Sequence, residues 1–186
     1  MSDSERERLL EILRVRSFAR KRVVLASGRE SDFFIDCKQA VLTAEGHALV
    51  GALLFDALAK YTPAAVAGVE LGGCPLASAV ALVSFQRGKP IDALYVRKDA
   101  KDHGSRRDIE GNTQLAAGAR VALVEDVVTT GGSTLKAVEK LRAAGYVVTG
   151  GIALVDRLEG GRENIEAAGL AIDAIYTRLD FIAHSS

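Results

Sequence analysis

The chain has 186 residues, of which 48% are hydrophobic and 26% charged. This composition is typical of a folded globular protein and excludes a disordered or low-complexity scaffold. The length is about that of one domain and is sufficient to bury a hydrophobic core. Lys and Arg together number 24, as do Asp and Glu, so a net charge of zero gives no general attraction to nucleic acid or to an acidic membrane. We therefore expect neither as a partner, and any anion site must be local.

Two further features favour a cytoplasmic protein. The two cysteines, Cys37 and Cys74, fit no metal-ligand or redox spacing, which favours reduced thiols. The opening sequence MSDSERERLL is charged where a secretory signal would be apolar, and no apolar run approaches the ~18 residues of a membrane span. We expect no association with a membrane.

The N-terminal part predicts a helix followed by a hairpin. Ser4 and Glu7 have the spacing of a capping box, and apolar residues at helical spacing follow them, which predicts a helix over about 4–16. Two short extended runs, 22–26 and 32–36, are separated by the sequence Ser-Gly-Arg-Glu-Ser. This arrangement predicts a hairpin-like addition ahead of the main core.

Beyond Thr43, which can cap a helix over about 44–60, short apolar runs alternate with helices. The predicted strands are 64–69, 91–96, 120–124, 147–155 and 170–176, and the predicted helices between them are 75–85, 132–144 and 162–168. Because the strands are apolar throughout, we expect a mostly parallel sheet with helices on both faces. The predicted fold class is α/β, with 1–186 as one domain and a small N-terminal addition over about 1–40.

In such sheets ligands bind where the strands end, at a switch in strand order. After Val124 the chain carries two adjacent acids, Glu125 and Asp126, and then a Thr- and Gly-rich loop over 129–134 that opens a helix. Glycines, hydroxyls and a helix N-terminus together suit a phosphate group. The two acids repel each other unless hydroxyls or a cation lie between them. The combination suits a ribose 5-phosphate, with its diol on the acids and its phosphate in the loop.

The loop after Val96 has a different character. Its sequence, YVRKDAKDHGSRRDIEG over 95–111, carries five basic and four acidic side chains besides a histidine. A charge run is usually a solvated surface, but these cations are crowded and the next regular element is long delayed. We expect a lid whose cations neutralise a departing anion.

The sequence EDVVTTGGST resembles the phosphoribosyl-pyrophosphate (PRPP) motif of the type I phosphoribosyltransferases, and RKDAKDHG is similar to the catalytic loop of the orotate-specific members of that family. The resemblance implies the type I fold with an N-terminal hood, and PRPP as substrate. It implies that Lys101 and His103 act in catalysis. The implied PRPP-binding residues are Arg97, Lys98, Lys101, His103, Glu125, Asp126, Val127, Val128, Thr129, Thr130, Gly131, Gly132 and Ser133.

The same resemblance extends to the base. The segment SGRESDFFID, 27–36, is similar to the family's hood, which implies that Phe33 or Phe34 lies against the pyrimidine ring. Arg157, after the strand that ends at Val155, and Thr129 are implied to bind orotate. The loop over 70–75 resembles the family's pyrophosphate loop, without the lysine that some members carry near Gly72.

The resemblance therefore implies transfer of a ribose 5-phosphate group from PRPP to orotate in pyrimidine biosynthesis, with Mg²⁺ as cofactor and no protein ligand for the metal. It also implies a homodimer in which the loop over 97–111 is shared between active sites. Two alternatives stand beside this interpretation. One is an enzyme for another base, a purine or uracil. The other is a regulator that binds RNA or DNA without turnover, against which the zero net charge and the charged lid both argue.

Overall fold

A computed structural model describes residues 3–24, 30–98, 108–111 and 114–182. Two sheets organise this part of the chain, a two-stranded N-terminal hairpin and a six-stranded central sheet. The strands are β1 (Phe18–Val24), β2 (Glu30–Ile35), β3 (Ala65–Val69), β4 (Asp92–Val96), β5 (Ile109–Gly111), β6 (Arg120–Val128), β7 (Val147–Asp156) and β8 (Ile172–Thr177). The helices are α1 (Asp3–Arg16), α2 (Lys38–Val41), α3 (Ala44–Leu58), α4 (Gly73–Gln86), α5 (Gly132–Ala143), α6 (Gly161–Ala167) and α7 (Arg178–Ile182), and a 3₁₀ turn spans Ala59–Tyr61.

The central sheet has the strand order β5-β4-β3-β6-β7-β8. Strands β4, β3, β6, β7 and β8 are parallel, whereas β5 is an antiparallel edge strand. The chain passes from β3 to β4 on one side and later returns to β6 on the other side of β3. This switch in strand order leaves a crevice at the carboxyl ends of β3 and β6, where open α/β sheets bind ligands. The predicted α/β class with a mostly parallel sheet is confirmed.

Four differences from the sequence prediction have physical causes. Strand β6 does not end at Val124, because its ladder with β7 continues as far as the pair Val128 and Asp156. The hairpin begins earlier than predicted, at Phe18, where it pairs with Ile35. The edge strand β5 is only three residues long and was not predicted. Nor were the short helices α2 and α7, which have too few residues to show a helical period.

The N-terminal hood, α1 with the hairpin β1–β2, shares its hydrophobic core with the central sheet. Helix α1 buries four side chains, Leu9, Leu10, Ile12 and Leu13. The ring of Phe33 in β2 packs on Phe18, with centroids 5.1 Å apart, and on Phe181 of α7 at 5.8 Å. Because α7 follows the edge strand β8 directly, this aromatic contact joins the hood to the sheet.

The turn from β3 into α4 brings two backbone segments into direct contact. A Cβ on Gly68 in β3 would overlap the backbone carbonyl of Gly73, and one on Gly73 would lie 2.7 Å from the carbonyl oxygen of Val124. Only residues without a side chain allow β3, α4 and β6 to approach this closely. The carboxyl ends of β3 and β6 are thereby held side by side.

We expect Gly68→Ala to lower the free energy of unfolding by about 2–4 kcal/mol, because the new methyl group meets backbone that cannot turn aside. Gly132→Ala is the matched control, since its nearest neighbour to a new Cβ is the Thr130 hydroxyl at 3.9 Å. That control should stay within about 0.5 kcal/mol of the wild type. Urea unfolding measures both, and an equal loss in the two variants would contradict this account of the turn.

Candidate active site

Two acidic side chains stand at the crevice between β3 and β6. Glu125 lies within β6 and is only 5% exposed. Its Oε2 accepts a hydrogen bond from the hydroxyl of Thr134 at 3.1 Å and another from that of Ser133 at 3.4 Å, both in the first turn of α5. Asp126 follows it and is half-buried. Hydroxyls therefore lie next to Glu125, as expected from the sequence. Thr134 was not among the predicted binding residues.

Burial controls the protonation of this pair. It raises the pKa of Glu125 to about 8, and the negative charge of Asp126 adds to the rise. Burial also raises the pKa of Asp126, while the positive charge of Lys38 at the start of α2 opposes that rise. In the unliganded chain near neutral pH, Glu125 therefore carries a proton for most of the time. A protonated carboxyl can both donate to and accept from a sugar hydroxyl.

The Thr- and Gly-rich loop joins β6 to α5 beside these acids. Gly131 has a φ of +81° and caps α5, and a Cβ at this position would lie 2.8 Å from Ile165. Asn164 of α6 donates from its amide nitrogen to the carbonyl oxygen of Thr130 at 3.0 Å, which fixes the loop from its outer side. The first N–H groups of α5 have no partner within the helix. They open on the same crevice as the acids and suit a phosphate group.

Val127 and Val128 belong to the strand rather than to the loop. The side chain of Val128 is 2% exposed and lies in the core, and Val127 packs against the core from the other face. Because the carbonyl of Val128 already accepts from the N–H of Arg157 at 3.0 Å, this part of the backbone is bound to β7 and the turn after it. These two residues can shape the site mainly by holding Asp126 and Thr129 apart.

The loop from β3 to α4 lies against Asp126. It contains a cis peptide bond between Glu70 and Leu71. A Cβ on Gly72 would collide with the carboxylate of Asp126, so this carboxylate occupies the space that a side chain at position 72 would need. Glu70 accepts a hydrogen bond from the backbone N–H of Lys98 at 3.1 Å, which joins this loop to the end of β4.

Arg97 and Lys98 follow β4 and face α5. They line a cavity of about 270 Å³ with Ser133 and Lys136, so the cations lie beside the Thr- and Gly-rich loop. The Nζ of Lys140 in α5 donates to the carbonyls of both residues, at 2.7 and 3.0 Å, and pairs with Asp108 at 2.9 Å. Nothing in the sequence pattern indicated this lysine. The predicted catalytic residues Lys101 and His103 lie outside the described residues.

Arg157 directly follows β7, beside the end of β6, and is 8% exposed. Its Nη2 donates to the carbonyl oxygen of Phe33 at 3.1 Å and pairs with Glu159 at 2.9 Å. The ring of Phe33 is 1% exposed and lies in the aromatic contact of the hood, so it cannot cover a base without repacking the core. Phe34 is half-buried and points to the opposite face of β2. Of the two predicted rings, Phe34 is therefore the candidate for contact with a base.

Among the described residues, no group of three or more His, Cys, Asp and Glu side chains is arranged to hold a metal ion. In the same part of the chain, no helix is long and apolar enough to cross a membrane.

Comparisons with known proteins show which family and which solved structures this chain is similar to. Residues 42–169 match the model of the phosphoribosyl transferase domain family. A curated orotate phosphoribosyltransferase of Sorangium cellulosum is 72% identical over 180 residues, covering 96% of this chain and 94% of the relative. The crystal structure of Mycobacterium tuberculosis orotate phosphoribosyltransferase with Fe(III) dicitrate has a TM-score of 0.83 at 40% identity, covering 96% of this chain and 99% of that one. The same enzyme in complex with PRPP has a TM-score of 0.78 at 36% identity, with 95% and 98% covered.

The raised pKa of Glu125 predicts a pH dependence of stability. Because the folded state holds this proton with a pKa of about 8 against an ordinary value of 4.5, the free energy of unfolding should fall as the pH rises between those values. Glu125→Gln still accepts the two hydroxyl hydrogen bonds but cannot ionise. The free energy of unfolding of this variant, taken relative to that of the wild type, should rise by about 1 kcal/mol or more from about pH 5.5 to about pH 8.5.

Urea unfolding of the ligand-free proteins at those two pH values measures the gain. Glu163→Gln, which changes an exposed glutamate of α6, is the control and should follow the wild type. Parallel pH profiles for Glu125→Gln and the wild type would contradict the assignment of a proton to Glu125.

Proposed function

Since this chain belongs to the phosphoribosyltransferase family and, within it, to the orotate phosphoribosyltransferases, we propose that the crevice between β3 and β6 is its active site. The reaction transfers the 5-phosphoribosyl group of PRPP to orotate, giving orotidine 5′-monophosphate (OMP) and pyrophosphate, in pyrimidine biosynthesis. The observation that carries the placement is the buried pair Glu125 and Asp126 directly beside the phosphate loop at the switch in strand order.

The PRPP end of the site is assigned from these contacts. Glu125 and Asp126 hold the ribose hydroxyls, and the loop from Thr129 to Ser133 binds the 5-phosphate through backbone N–H groups and hydroxyls. The raised pKa of Glu125 suits this arrangement. The protonated carboxyl can donate a hydrogen bond to a hydroxyl oxygen and remain neutral, so no second negative charge lies beside Asp126. Val127 and Val128 set the distance between the acids that hold the ribose and the loop that binds the 5-phosphate.

The pyrophosphate end is assigned to the loop after β4. Arg97 and Lys98 border the cavity beside α5, and the predicted Lys101 and His103 follow them in the sequence. We assign these four cations to the pyrophosphate group, with Lys101 and His103 in the catalytic role. Positive charge here stabilises the leaving group as its negative charge develops.

Mg²⁺ fits the site as an ion carried by the substrate. This ion prefers phosphate oxygens and water to an all-protein cage, and PRPP supplies many phosphate oxygens. Among the described residues, no group of three or more possible ligands is arranged for a metal ion, and burial raises the pKa of Glu125 to about 8. When bound, Mg²⁺ would neutralise part of the charge on the pyrophosphate. The chain itself contributes the cationic loop and the phosphate loop.

The base end is assigned to Arg157, Thr129 and Phe34. Arg157 offers a guanidinium to the carboxylate of orotate, and the side chain of Phe34 can lie against the flat ring. A ring nitrogen of orotate forms the new bond to the anomeric carbon of PRPP and gives up its proton, which water or the departing pyrophosphate accepts. The bond from that carbon to the pyrophosphate oxygen breaks, and its electron pair leaves with pyrophosphate. The transition state resembles an oxocarbenium ion, so the protein contributes positioning and exclusion of water rather than a nucleophile.

The expected homodimer is supported by an exposed apolar stripe on α4. Leu82 and Phe85, one helical turn apart, are 55% and 75% exposed. We assign this stripe to a second copy of the chain, with the 97–111 loop shared between the two active sites. We also place the enzyme in the cytoplasm, which its two unpaired cysteines support.

The direct test follows the loss of orotate absorbance when the purified chain is mixed with PRPP, with and without Mg²⁺. We expect loss of orotate only with PRPP present, and much faster with Mg²⁺. Adenine, hypoxanthine and uracil, assayed by product formation, serve as alternative bases and should not be consumed at a comparable rate. Activity with another base but not with orotate would overturn the proposal.

Arg157→Ala should raise the KM for orotate by about 10–100-fold, because a hydrogen-bonded ionic contact with the carboxylate is lost. The affinity for PRPP should change by less than about threefold, since the residue lies at the base end of the site. Steady-state kinetics with each substrate varied in turn measures the change in KM for orotate and for PRPP separately. Arg142→Ala, which changes an exposed arginine of α5, is the matched control. A loss shared equally between the two substrates would contradict the assignment.

Lys101→Ala should lower kcat by about 10²–10³-fold with little change in PRPP binding, because its charge is needed as pyrophosphate departs. Lys89→Ala, at an exposed position, is the control. If the loop is shared, mixing Lys101→Ala with Arg157→Ala subunits should restore up to about a quarter of wild-type activity, since each mixed dimer contains one intact site. A mixture no more active than its components would refute the sharing of the loop.

A further inference from the structure

The turn after β7 folds an acidic side chain back onto the base end of the site. Leu158 has a φ of +56° and Gly160 a φ of +87°, so the chain reverses sharply between β7 and α6. The buried carboxylate of Asp156 accepts a hydrogen bond from the N–H of Leu158 at 2.8 Å, which stabilises the reversal. As a result, Glu159 lies directly against Arg157 rather than in solvent.

Arg157 and Glu159 form an ion pair that is largely removed from water. Nη2 of Arg157 and Oε1 of Glu159 are 2.9 Å apart, and each side chain is only 10% exposed. A buried charge requires a partner of opposite sign, so Glu159 is what permits Arg157 to lie this deep in the protein. The neighbouring Asp156 pairs instead with Arg162 of α6, at 3.7 Å, and is not a substitute for Glu159.

Two anchors fix the orientation of the guanidinium. The same Nη2 donates to the carbonyl oxygen of Phe33 in the hood, at 3.1 Å. The planar group also lies over the ring of Phe33, with its carbon 5.5 Å from the ring centroid. One nitrogen is therefore held by the hood and by the turn at once, and the plane of the group is held by the ring. Because a guanidinium has five N–H donors, an arginine that holds one carboxylate can still bind a second.

We propose that Glu159 is a positioning residue that fixes Arg157 for the carboxylate of orotate and thereby sets the selectivity for a base that carries a carboxylate. This inference rests on the proposed function of the site. Without the carboxylate of Glu159, the guanidinium of Arg157 would lose the ion pair at Nη2 and, with it, its buried counter-charge. The carboxylate-bearing base would lose affinity, whereas a base without that group would be unaffected.

The test compares two nucleotides that differ only in this carboxylate, OMP and uridine 5′-monophosphate (UMP). Calorimetric titration gives the Kd of each with the wild type and with Glu159→Ala. We expect the preference for OMP over UMP to fall at least about tenfold in the variant, through weaker OMP binding with the Kd for UMP within about twofold. Glu159→Gln, which keeps the length of the side chain but removes its charge, should also lose most of the preference, because the contact with Nη2 is an ion pair. Glu163→Ala, an exposed glutamate on the adjacent helix, should retain all of it.

A double-mutant cycle separates positioning from general structure. In an Arg157→Ala background, adding Glu159→Ala should change the preference for OMP by less than about twofold, because the residue then has nothing to position. If Glu159→Ala does not fold, Glu159→Asp applies the same test, since its carboxylate is one methylene shorter and withdraws from Nη2. The preference should then fall about threefold or more.

Three results would overturn the inference. An unchanged preference in both Glu159→Ala and Glu159→Asp would show that Arg157 needs no such partner. Equal losses of OMP and UMP affinity would show that Glu159 only supports the fold. A wild-type chain that consumes no orotate would refute the proposed function itself, and the inference with it. The orotate assay on the wild type therefore distinguishes the two failures.

Discussion

The site depends on the burial of two neighbouring carboxyl groups, Glu125 and Asp126, at the end of a central strand. Two such charges in a place shielded from water repel each other and lose their hydration. The structure meets this constraint with hydroxyls from the first turn of α5, with the nearby cation of Lys38, and with a proton on Glu125. The same α5 turn follows the phosphate loop. The turn of α5 that stabilises the acids therefore also fixes the end of the loop that precedes it.

The base end is built across a much longer distance in sequence. Arg157 reaches the hood through the carbonyl of Phe33, 124 residues earlier in the chain. Since Phe33 also packs on Phe181 of α7, the hood, the base end and the last helix are connected through one ring. A change in the hood core can therefore shift Arg157 without any direct contact to its side chain. The segment after β4 is held differently, by the Nζ of Lys140, which donates to the carbonyls of Arg97 and Lys98.

Much of this could be predicted from the sequence, because its signals are local. Apolar runs alternating with helices indicated the parallel sheet, and the N-cap at Thr43 was confirmed, with its hydroxyl accepting from the N–H of Gly46. What the sequence could not supply depends on partners distant in the chain. Strand β6 continues to Val128 because β7 extends its ladder. The choice between Phe33 and Phe34 depends on which face of β2 meets α7, and the approach of Asp126 to Gly72 depends on the turn after β3.

In the proposed site, the acids of β6 and the loop after them bind opposite ends of one ribose 5-phosphate unit. A crystal structure of this chain with bound PRPP tests it most directly. We expect the 5-phosphate at about 2.7–3.2 Å from backbone N–H groups between Thr130 and Ser133, with the ribose hydroxyls in hydrogen-bond contact with Glu125 and Asp126. A sugar bound elsewhere, with both carboxyls still buried against α5 and the loop empty, would contradict it.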